Sequence, residues 1–300
     1  MHRALLPAEL QASLRGEVRR ALASPSSCVP DGAVLLSTVD RGLAPLRPLQ
    51  FQRVRHQRCL LQRVVSLCWN HSDAYGVCVP APLAALTRFA VFSPGREVAY
   101  HLNCWVKWAM LSAALLEAKV AFYVDADVLL LRNPFTAPRV EAFSTRERCD
   151  EGAQLLYQWE GPGSNPLNSG QLLACSSAVA LRALSAMPPQ LMDGALPPGV
   201  MLDQEYAYNA LRSSGHGIEQ LPQPAFAGNC WFGPPQAPPW CDVYLFHAHC
   251  TSPGAMMKST RMTSVLLETR DCSPDLRKKQ YALIRNHHRK LLLRTRERPA

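Results

Sequence analysis

The sequence lacks the motifs on which several large classes of nucleotide-binding and redox proteins depend. It contains no Gly-x-Gly-x-x-Gly and no Gly-x-x-x-x-Gly-Lys-Ser/Thr, so neither a dinucleotide site nor a P-loop is indicated. None of its 11 cysteines forms a Cys-x-x-Cys pair, which argues against a zinc ribbon or a thioredoxin-like motif. No apolar run reaches the roughly 18 to 20 residues that span a bilayer. Residues 1–24 lack the apolar core of a signal peptide and instead predict a short amphipathic helix.

Composition and charge indicate a folded globular chain with a basic tail. Hydrophobic residues make up 48% of the 300 residues and charged residues 18%, which excludes a disordered chain. The net charge is +9, but residues 276–300 hold nine Lys or Arg against one acidic residue, Glu297. Such a tail can contact anionic lipids, nucleic acid or solvent alone, and we favour a role in solubility.

Three apolar runs predict buried strands of a mostly parallel sheet. Residues 33–39 and 64–69 flank a helix expected at 49–63, which together predict a parallel β-α-β unit with a right-handed crossover. In that helix, Arg63 is expected to point outward. A third run, 120–124, follows an almost wholly apolar helix expected at 103–118. The predicted class is α/β, with a central sheet flanked by helices.

Asp125 and Asp127 stand directly after the third apolar run. Ligands of open α/β sheets bind outside the carboxyl ends of the strands, so this is a favourable place for acidic residues. In a straight extended segment the side chains of residues 125 and 127 would not converge on one point. Both aspartates can therefore hold one ligand only if the chain turns there. Carboxylate oxygens together with substrate phosphates suit Mg²⁺ or Mn²⁺. On its own, Asp-x-Asp is also typical of a solvated turn or a helix cap.

Polar residues mark the ends of several later segments. We predict strands at 140–145, 171–175 and 243–246, helices at 176–187, 203–213, 263–269 and from 274 onward, and a Gly- and Pro-bearing loop at 154–167. Asn168, Ser169 and Gly170 open one strand, Asp203 begins a helix, and His247 follows the last strand. An ordinary turn, a helix N-cap and a structural histidine are the alternative interpretations of these three features.

Taken together and in order, these segments resemble the GT-A glycosyltransferases, and most of all the nucleotide-diphospho-sugar transferases of glycosyltransferase family 77. The resemblance is carried by Lys107 with the segment Y-V-D-A-D-V-L-L-L-R-N-P-F at 123–135, Asn168 to Gly170, Asp203 with Gln204, the segment 226–232, and His247 to Cys250 with Gly254 and Lys258. It extends over roughly residues 33–262, and ordered agreement of several blocks is more specific than any single motif.

The resemblance implies a GT-A type fold and a divalent cation, Mn²⁺ or Mg²⁺, held by Asp125, Asp127 and His247. It further implies donor contacts from Lys107, Asp125, Asn168, Ser169, Gly170, Gly254 and Lys258, to which the end of the first strand adds Thr38. Asp203 and Gln204, as the catalytic pair, would contact the donor sugar, with Gln204 near its anomeric carbon. Two departures from the family pattern are present: His249 replaces an asparagine, and Gly254 stands one residue further from His247.

The implied reaction is retaining transfer of a sugar from a nucleoside diphosphate sugar, expected to be a UDP-sugar, to a hydroxyl of a glycan or glycoprotein. A nucleotidyltransferase also uses metal-binding aspartates, but the sequence shows no second acidic cluster. A catalytically degenerate relative that still binds sugar nucleotides is the remaining alternative. Nucleic acid is not an expected partner, since only the tail would support it.

The resemblance also implies work in the Golgi or secretory lumen, although no signal or membrane anchor is visible in the sequence. We expect an N-terminal extension at 1–30, the catalytic domain at 31–270 and the basic tail at 271–300. Most cysteines are expected to be buried thiols, with one or two disulfides; in a secretory lumen Cys230 and Cys241 could pair.

Overall fold

The computed structural model describes residues 6–39, 43–69, 77–81, 98–147, 149, 152–159, 167–177, 203–213, 217–228, 240–249 and 255–269. The strands are β1 Ala33–Val39, β2 Val64–Trp69, β3 Val77–Ala81, β4 Val120–Val124, β5 Val128–Leu130, β6 Leu155–Trp159, β7 Leu167–Cys175, β8 Ile218–Gln220, β9 Phe226–Gly228 and β10 Leu245–His247. The α-helices are α1 Ala8–Ala23, α2 Arg47–Phe51, α3 Arg58–Leu61, α4 Val98–Ala114, α5 Pro138–Thr145, α6 Asp203–Ser213 and α7 Ala255–Glu268.

The centre of the molecule is a seven-stranded sheet in the order β3-β2-β1-β4-β7-β6-β8. The first four of these strands are parallel to one another, β7 runs antiparallel to both of its neighbours, and β8 is parallel to β6. Helices pack on the sheet, so the predicted α/β class with a mostly parallel sheet is confirmed. The predicted parallel pairing of β1 with β2 is also confirmed.

A second sheet of three short strands, in the order β5-β10-β9, lies beside the first. β10 runs antiparallel to β5 and parallel to β9. Since β5 follows β4 after only three residues, the chain passes from the large sheet to the small one at the acidic segment. This crossing positions the candidate site.

Alternate residues of β1 and β4 enter two separate apolar cores, one on each face of the large sheet. Leu36 and Tyr123 belong to the core formed with α1 and α4, whereas Leu35 and Phe122 belong to the core formed with β5 and α5. A sheet covered on both faces explains why its strands are continuous apolar runs. The helix α1 lies inside the segment expected to be an extension, and its Leu14 and Val18 are fully buried in the first core.

Several predicted elements differ from the structure. The helix expected at 49–63 is two short helices, α2 and α3, joined by turns, and Arg63 is buried rather than outward. Residues 140–145 form part of the helix α5, because Pro138 opens it and the buried Val140, Phe143 and Ser144 have helical spacing. The expected loop at 154–167 contains the buried strand β6. Its Gly and Pro residues, at 161–166, come after that strand.

Other boundaries shift by a few residues. The strand at 167–175 begins before the predicted one, the last strand is 245–247 rather than 243–246, and α4 and α7 begin at 98 and 255 rather than 103 and 263. The predicted helix from 274 lies outside the described residues, as does nearly all of the one predicted at 176–187.

Disulfides are more numerous than expected. Cys28 pairs with Cys59 and Cys149 pairs with Cys175, with Cα–Cα distances of 5.8 and 5.7 Å. Cys68 and Cys241 are also disulfide-bonded. The suggested partner of Cys241, Cys230, lies outside the described residues.

Candidate metal centre

The chain turns at the acidic segment, as a shared ligand for both aspartates requires. β4 ends at Val124, and the N–H of Val128 donates to the carbonyl of Asp125 at 3.1 Å, closing a turn through Ala126 and Asp127. The Asp125 carboxylate remains about one-quarter exposed, whereas that of Asp127 is buried. The turn brings two carboxylates to one place at the carboxyl edge of the large sheet.

The small sheet delivers an imidazole to the same place. In the antiparallel register of β10 with β5, His247 stands opposite Val128, and the N–H of Ala248 donates to the carbonyl of Asp127 at 3.0 Å. His247 Nε2 then lies 3.2 Å from Asp127 Oδ1 and 4.0 Å from Asp125 Oδ2. One ligand atom from each of these three residues lies within 4.8 Å of the others, so the group can hold a metal ion.

Each ring nitrogen of His247 faces a polar side chain. Its Nδ1 lies 2.9 Å from the amide oxygen of Gln158, an acceptor that a proton on Nδ1 would satisfy. Burial lowers the pKa of His247 below its ordinary value, although Asp127 opposes that shift. Its Nε2 lies 3.2 Å from Asp127 Oδ1, so a neutral ring with the proton on Nδ1 would direct the lone pair of Nε2 toward that carboxylate. A divalent cation at this position could bind both atoms, and a mixed oxygen and nitrogen donor set suits Mn²⁺.

Asp127 is ionised in this environment. Burial by itself would raise the pKa of its carboxyl, but His247 and Lys258 outweigh burial and hold that pKa well below its usual range. The ammonium of Lys258, which comes from α7, donates to Asp127 Oδ2. A buried carboxylate kept charged by a neighbouring lysine is ready to bind a metal without first losing a proton.

Two linked hydroxyls, those of Thr38 and Tyr123, orient Asp125. The hydroxyl of Tyr123 donates to Asp125 Oδ1 at 2.8 Å and accepts from Thr38 Oγ1 at 2.6 Å. Burial raises the pKa of Tyr123 well above its ordinary value, so the phenol remains a donor. Lys107 Nζ lies 3.3 Å from Asp125 Oδ2. Thr38 is buried and thus reaches the site through Tyr123.

The antiparallel direction of β7 places its first residues at the carboxyl edge of β4. Asp125 N–H donates to the carbonyl of Gly170 at 2.9 Å, and Lys107 Nζ donates to Ser169 Oγ at 2.9 Å. Asn168 Oδ1 accepts from the N–H of Gly170 at 2.8 Å. A side chain at 170 would overlap the imidazole of His247, so only glycine lets this ring lie against β7.

Asp203 and Gln204 begin α6 and contact the same segment. Asp203 is buried and accepts from the indole N–H of Trp108 at 2.9 Å and from Ser169. Burial raises the pKa of Asp203, although Lys107 opposes the shift. The amide oxygen of Gln204 lies 3.5 Å from the backbone nitrogen of Ser169. This pair is thus joined to the metal group through Ser169 and Lys107.

The structure therefore brings together all but one of the donor, metal and catalytic residues predicted from the sequence. The exception is Gly254, which lies outside the described residues. Two further residues were missed, Tyr123 and Gln158. Tyr123 stands two residues before Asp125 and so on the same side of an extended chain, a signal that the sequence offered. Gln158 gave no such signal, because the Gly and Pro residues that follow its strand led to the prediction of a loop over 154–167.

Comparison with known proteins finds no matching family model and no matching curated protein. Solved structures that match include a glycosyltransferase involved in the glycosylation of the major capsid of PBCV-1, with 14% identity and a TM-score of 0.47, covering 77% of this chain and 98% of that chain. An active-site mutant of LgtC has 14% identity and a TM-score of 0.48, covering 81% and 98%. Mouse xyloside xylosyltransferase 1 has 14% identity and a TM-score of 0.45, covering 74% and 99%. These similarities are too low to assign an activity, which must be inferred from the site itself.

Proposed function

We propose that the protein is a metal-dependent glycosyltransferase that moves a sugar from a nucleoside diphosphate sugar, a UDP-sugar first of all, to a hydroxyl of a glycan or glycoprotein. The observation that carries the proposal is the convergence of Asp125, Asp127 and His247 at the carboxyl edge of an α/β sheet, with two lysines beside them. This edge is where open α/β sheets bind nucleotides.

The difficulty of this reaction is the negative charge that grows on the diphosphate as the glycosidic bond breaks. Asp125, Asp127 and His247 would hold Mn²⁺ or Mg²⁺, which acts as a Lewis acid toward such a leaving group. Lys258 has a partly exposed side chain and would supply a positive charge to the phosphate oxygens. Lys107 is almost fully buried, so we assign it to holding Asp125 and Ser169 in place.

Donor sugar contacts are proposed for Asn168 to Gly170 and for Gln204. The side chain of Asn168 already holds the backbone of Gly170, and Asp203 supports Ser169. Gln204 is only half-buried, which leaves it the better placed of the pair to reach a sugar, whereas buried Asp203 would act by fixing the segment. Retention of the anomeric configuration is part of the proposal and rests on the family resemblance.

An oxidising compartment is proposed as the place of work, consistent with the Golgi or secretory lumen. Six cysteines within the described residues are disulfide-bonded, and such bonds persist mainly in secreted and lumenal proteins. Within the described part of the chain, no helix combines the length and hydropathy needed to cross a membrane.

Calorimetric titration of UDP, with and without Mn²⁺, tests the proposal on the unmodified protein and on Asp127→Asn. We expect binding that requires the metal and is lost in the variant, because a neutral amide is a poorer ligand and leaves Lys258 unpaired. The matched control is Asp31→Asn, an exposed aspartate just before β1 at the opposite edge of the sheet. Absence of metal-dependent UDP binding to the folded protein would reject the transferase.

Turnover is tested separately by measuring UDP release from a panel of UDP-sugars. Release that depends on Mn²⁺ supports the enzyme. Metal-dependent UDP binding without release from any donor, with or without acceptors, would favour a degenerate relative that binds sugar nucleotides.

A further inference from the structure

Gln158 is a fully buried amide in an otherwise apolar and aromatic strand. The pairing of β6 with β7 shifts register between Tyr157 and Gln158, so that Gln158 stands opposite Asn168. A bulge of this kind re-aims side chains near a functional site. Here it directs the amide oxygen of Gln158 to His247 Nδ1, at 2.9 Å.

A neutral imidazole carries one proton, and two acceptors flank the ring of His247. The amide oxygen of Gln158 faces Nδ1, and a carboxylate oxygen of Asp127 lies 3.2 Å from Nε2. If the proton is on Nδ1, the lone pair of Nε2 is available to a metal. If it is on Nε2, the ring donates to Asp127 and cannot bind a metal through that nitrogen.

The orientation of the ring is fixed by other residues. Gly170 lies against its edge so closely that a Cβ there would overlap it, and His249 stacks on it with centroids 4.4 Å apart and planes 27° apart. Gln158 is therefore not needed to stop the ring from turning. What Gln158 can control is which nitrogen of His247 carries the proton.

We infer that Gln158 is a positioning residue that holds the proton of His247 on Nδ1 and thereby presents Nε2 to the divalent cation. This inference rests on the proposed function in that it takes the cation to bind at Asp125, Asp127 and His247. Partners of metal-bound histidines at the second ring nitrogen commonly set the tautomer, and their removal costs about 10–100-fold in metal affinity.

The test combines two variants, a control and two measurements. Gln158→Met removes the acceptor while keeping the length of the side chain, Gln158→Glu keeps an acceptor, and Gln154→Met replaces another buried glutamine just before the same strand. Mn²⁺ affinity is measured by calorimetry without donor. Histidine-selective ¹⁵N NMR of the metal-free proteins reports which nitrogen of the neutral ring is protonated, with His247→Asn used to assign the signal.

We expect Gln158→Met to weaken Mn²⁺ binding by about 10–100-fold and to move the proton from Nδ1 to Nε2. Gln158→Glu should keep both the affinity and the Nδ1 proton, and Gln154→Met should match the unmodified protein. Gln158→Met with unchanged affinity and an unchanged Nδ1 proton would overturn the inference. So would a proton on Nε2 in the unmodified protein, a result that needs no variant to fold.

Failure of the proposed function gives a different pattern. If the unmodified protein binds no Mn²⁺, the metal site is rejected. The NMR comparison still decides the role of Gln158: a proton that moves from Nδ1 to Nε2 in Gln158→Met supports its control of the tautomer, and a proton that stays contradicts it.

Discussion

At the scale of single residues, each of the three proposed metal ligands is contacted by a supporting side chain. Tyr123 and Gln158 are buried and each contacts one ligand, Asp125 and His247 respectively. Lys258 contacts the third, Asp127. Each ligand is thus held by a different element, so the three supports can be removed one at a time.

Replacement of Tyr123 by Phe removes the hydroxyl that donates to Asp125 and deprives Thr38 of its partner. We expect the free energy of unfolding to fall by about 1–3 kcal/mol and Mn²⁺ affinity to fall by about 10–100-fold. Urea unfolding and calorimetry measure the two effects. Tyr244→Phe is the control, because its exposed hydroxyl contacts only the carbonyl of Thr136 among the hydrogen bonds described. Unaltered Mn²⁺ binding in Tyr123→Phe would show that Asp125 is not a ligand oriented by this phenol.

Replacement of Lys258 by Met separates metal binding from donor binding. In the free protein, the Lys258 ammonium competes with a cation for Asp127. When a diphosphate is bound, the same positive charge would attract its oxygens. We expect Mn²⁺ to bind at least as tightly as before and UDP, titrated with saturating Mn²⁺, to bind more weakly.

The matched control for that lysine is Lys119→Met, just before β4 at the amino end of the sheet. Equal UDP affinity in Lys258→Met and the unmodified protein would remove Lys258 from the donor site.

At the scale of secondary-structure elements, the sequence predicted correctly those strands and helices whose boundaries follow from the local residue pattern. β1, β2 and β4 are continuous apolar runs, and α6 begins at an aspartate, so their boundaries agree with the structure. The three-residue strands β5, β8 and β9 are too short for a periodic signal and were not predicted, whereas β10 was predicted with shifted bounds. The pairing of such short strands depends on partners distant in sequence. α5 was assigned as a strand because its aromatic and β-branched residues also suit one, and only its proline start and buried spacing distinguish it.

The same reasoning explains what could be predicted of the site. Asp125 and Asp127 follow a buried strand and His247 ends another, and all three were predicted as ligands from that position together with the family resemblance. The proposed role of Gln158 toward His247 could not be predicted from the sequence. It depends on the bulge in the pairing of β6 with β7 and on the second sheet, which carries His247.

The helix α7, which carries Lys258, is anchored at its far end by Arg53. The guanidinium donates to the carbonyl of Leu266 at 2.9 Å and to the hydroxyl of Thr269 at 3.1 Å. A cation at a helix C-terminus satisfies free carbonyls and interacts favourably with the helix dipole.

We therefore expect Arg53→Met to lower the free energy of unfolding by about 1–2 kcal/mol, while Mn²⁺ binding changes little. Urea unfolding of this variant is compared with that of Arg55→Met, which replaces an exposed arginine of the same segment. Equal loss of stability in both variants would mean that these hydrogen bonds contribute nothing specific.

At the scale of the whole molecule, disulfides connect segments that lie far apart along the chain. Cys28–Cys59 joins the segment before β1 to α3, and Cys149–Cys175 joins the segment after α5 to the end of β7. The fully buried leucine and valine of α1 likewise tie residues 8–23 to the sheet. The division into 1–30, 31–270 and 271–300 stays a prediction.

Removal of the first disulfide in Cys28→Ser/Cys59→Ser is expected to cost about 2–4 kcal/mol of unfolding free energy, because the unfolded chain regains the freedom of a loop with sequence separation 31. Urea unfolding under oxidising conditions measures the loss. Under strong reductant the unmodified protein should lose at least as much stability. Unchanged unfolding in reductant would contradict the proposal that the protein is adapted to an oxidising compartment.

The most direct measurement is the location of Mn²⁺ by anomalous X-ray diffraction from crystals grown with Mn²⁺ and UDP. The account predicts an anomalous peak bounded by the carboxylates of Asp125 and Asp127 and by Nε2 of His247, with the UDP diphosphate beside it. UDP bound elsewhere, or bound with no anomalous peak at these three residues, would contradict the account.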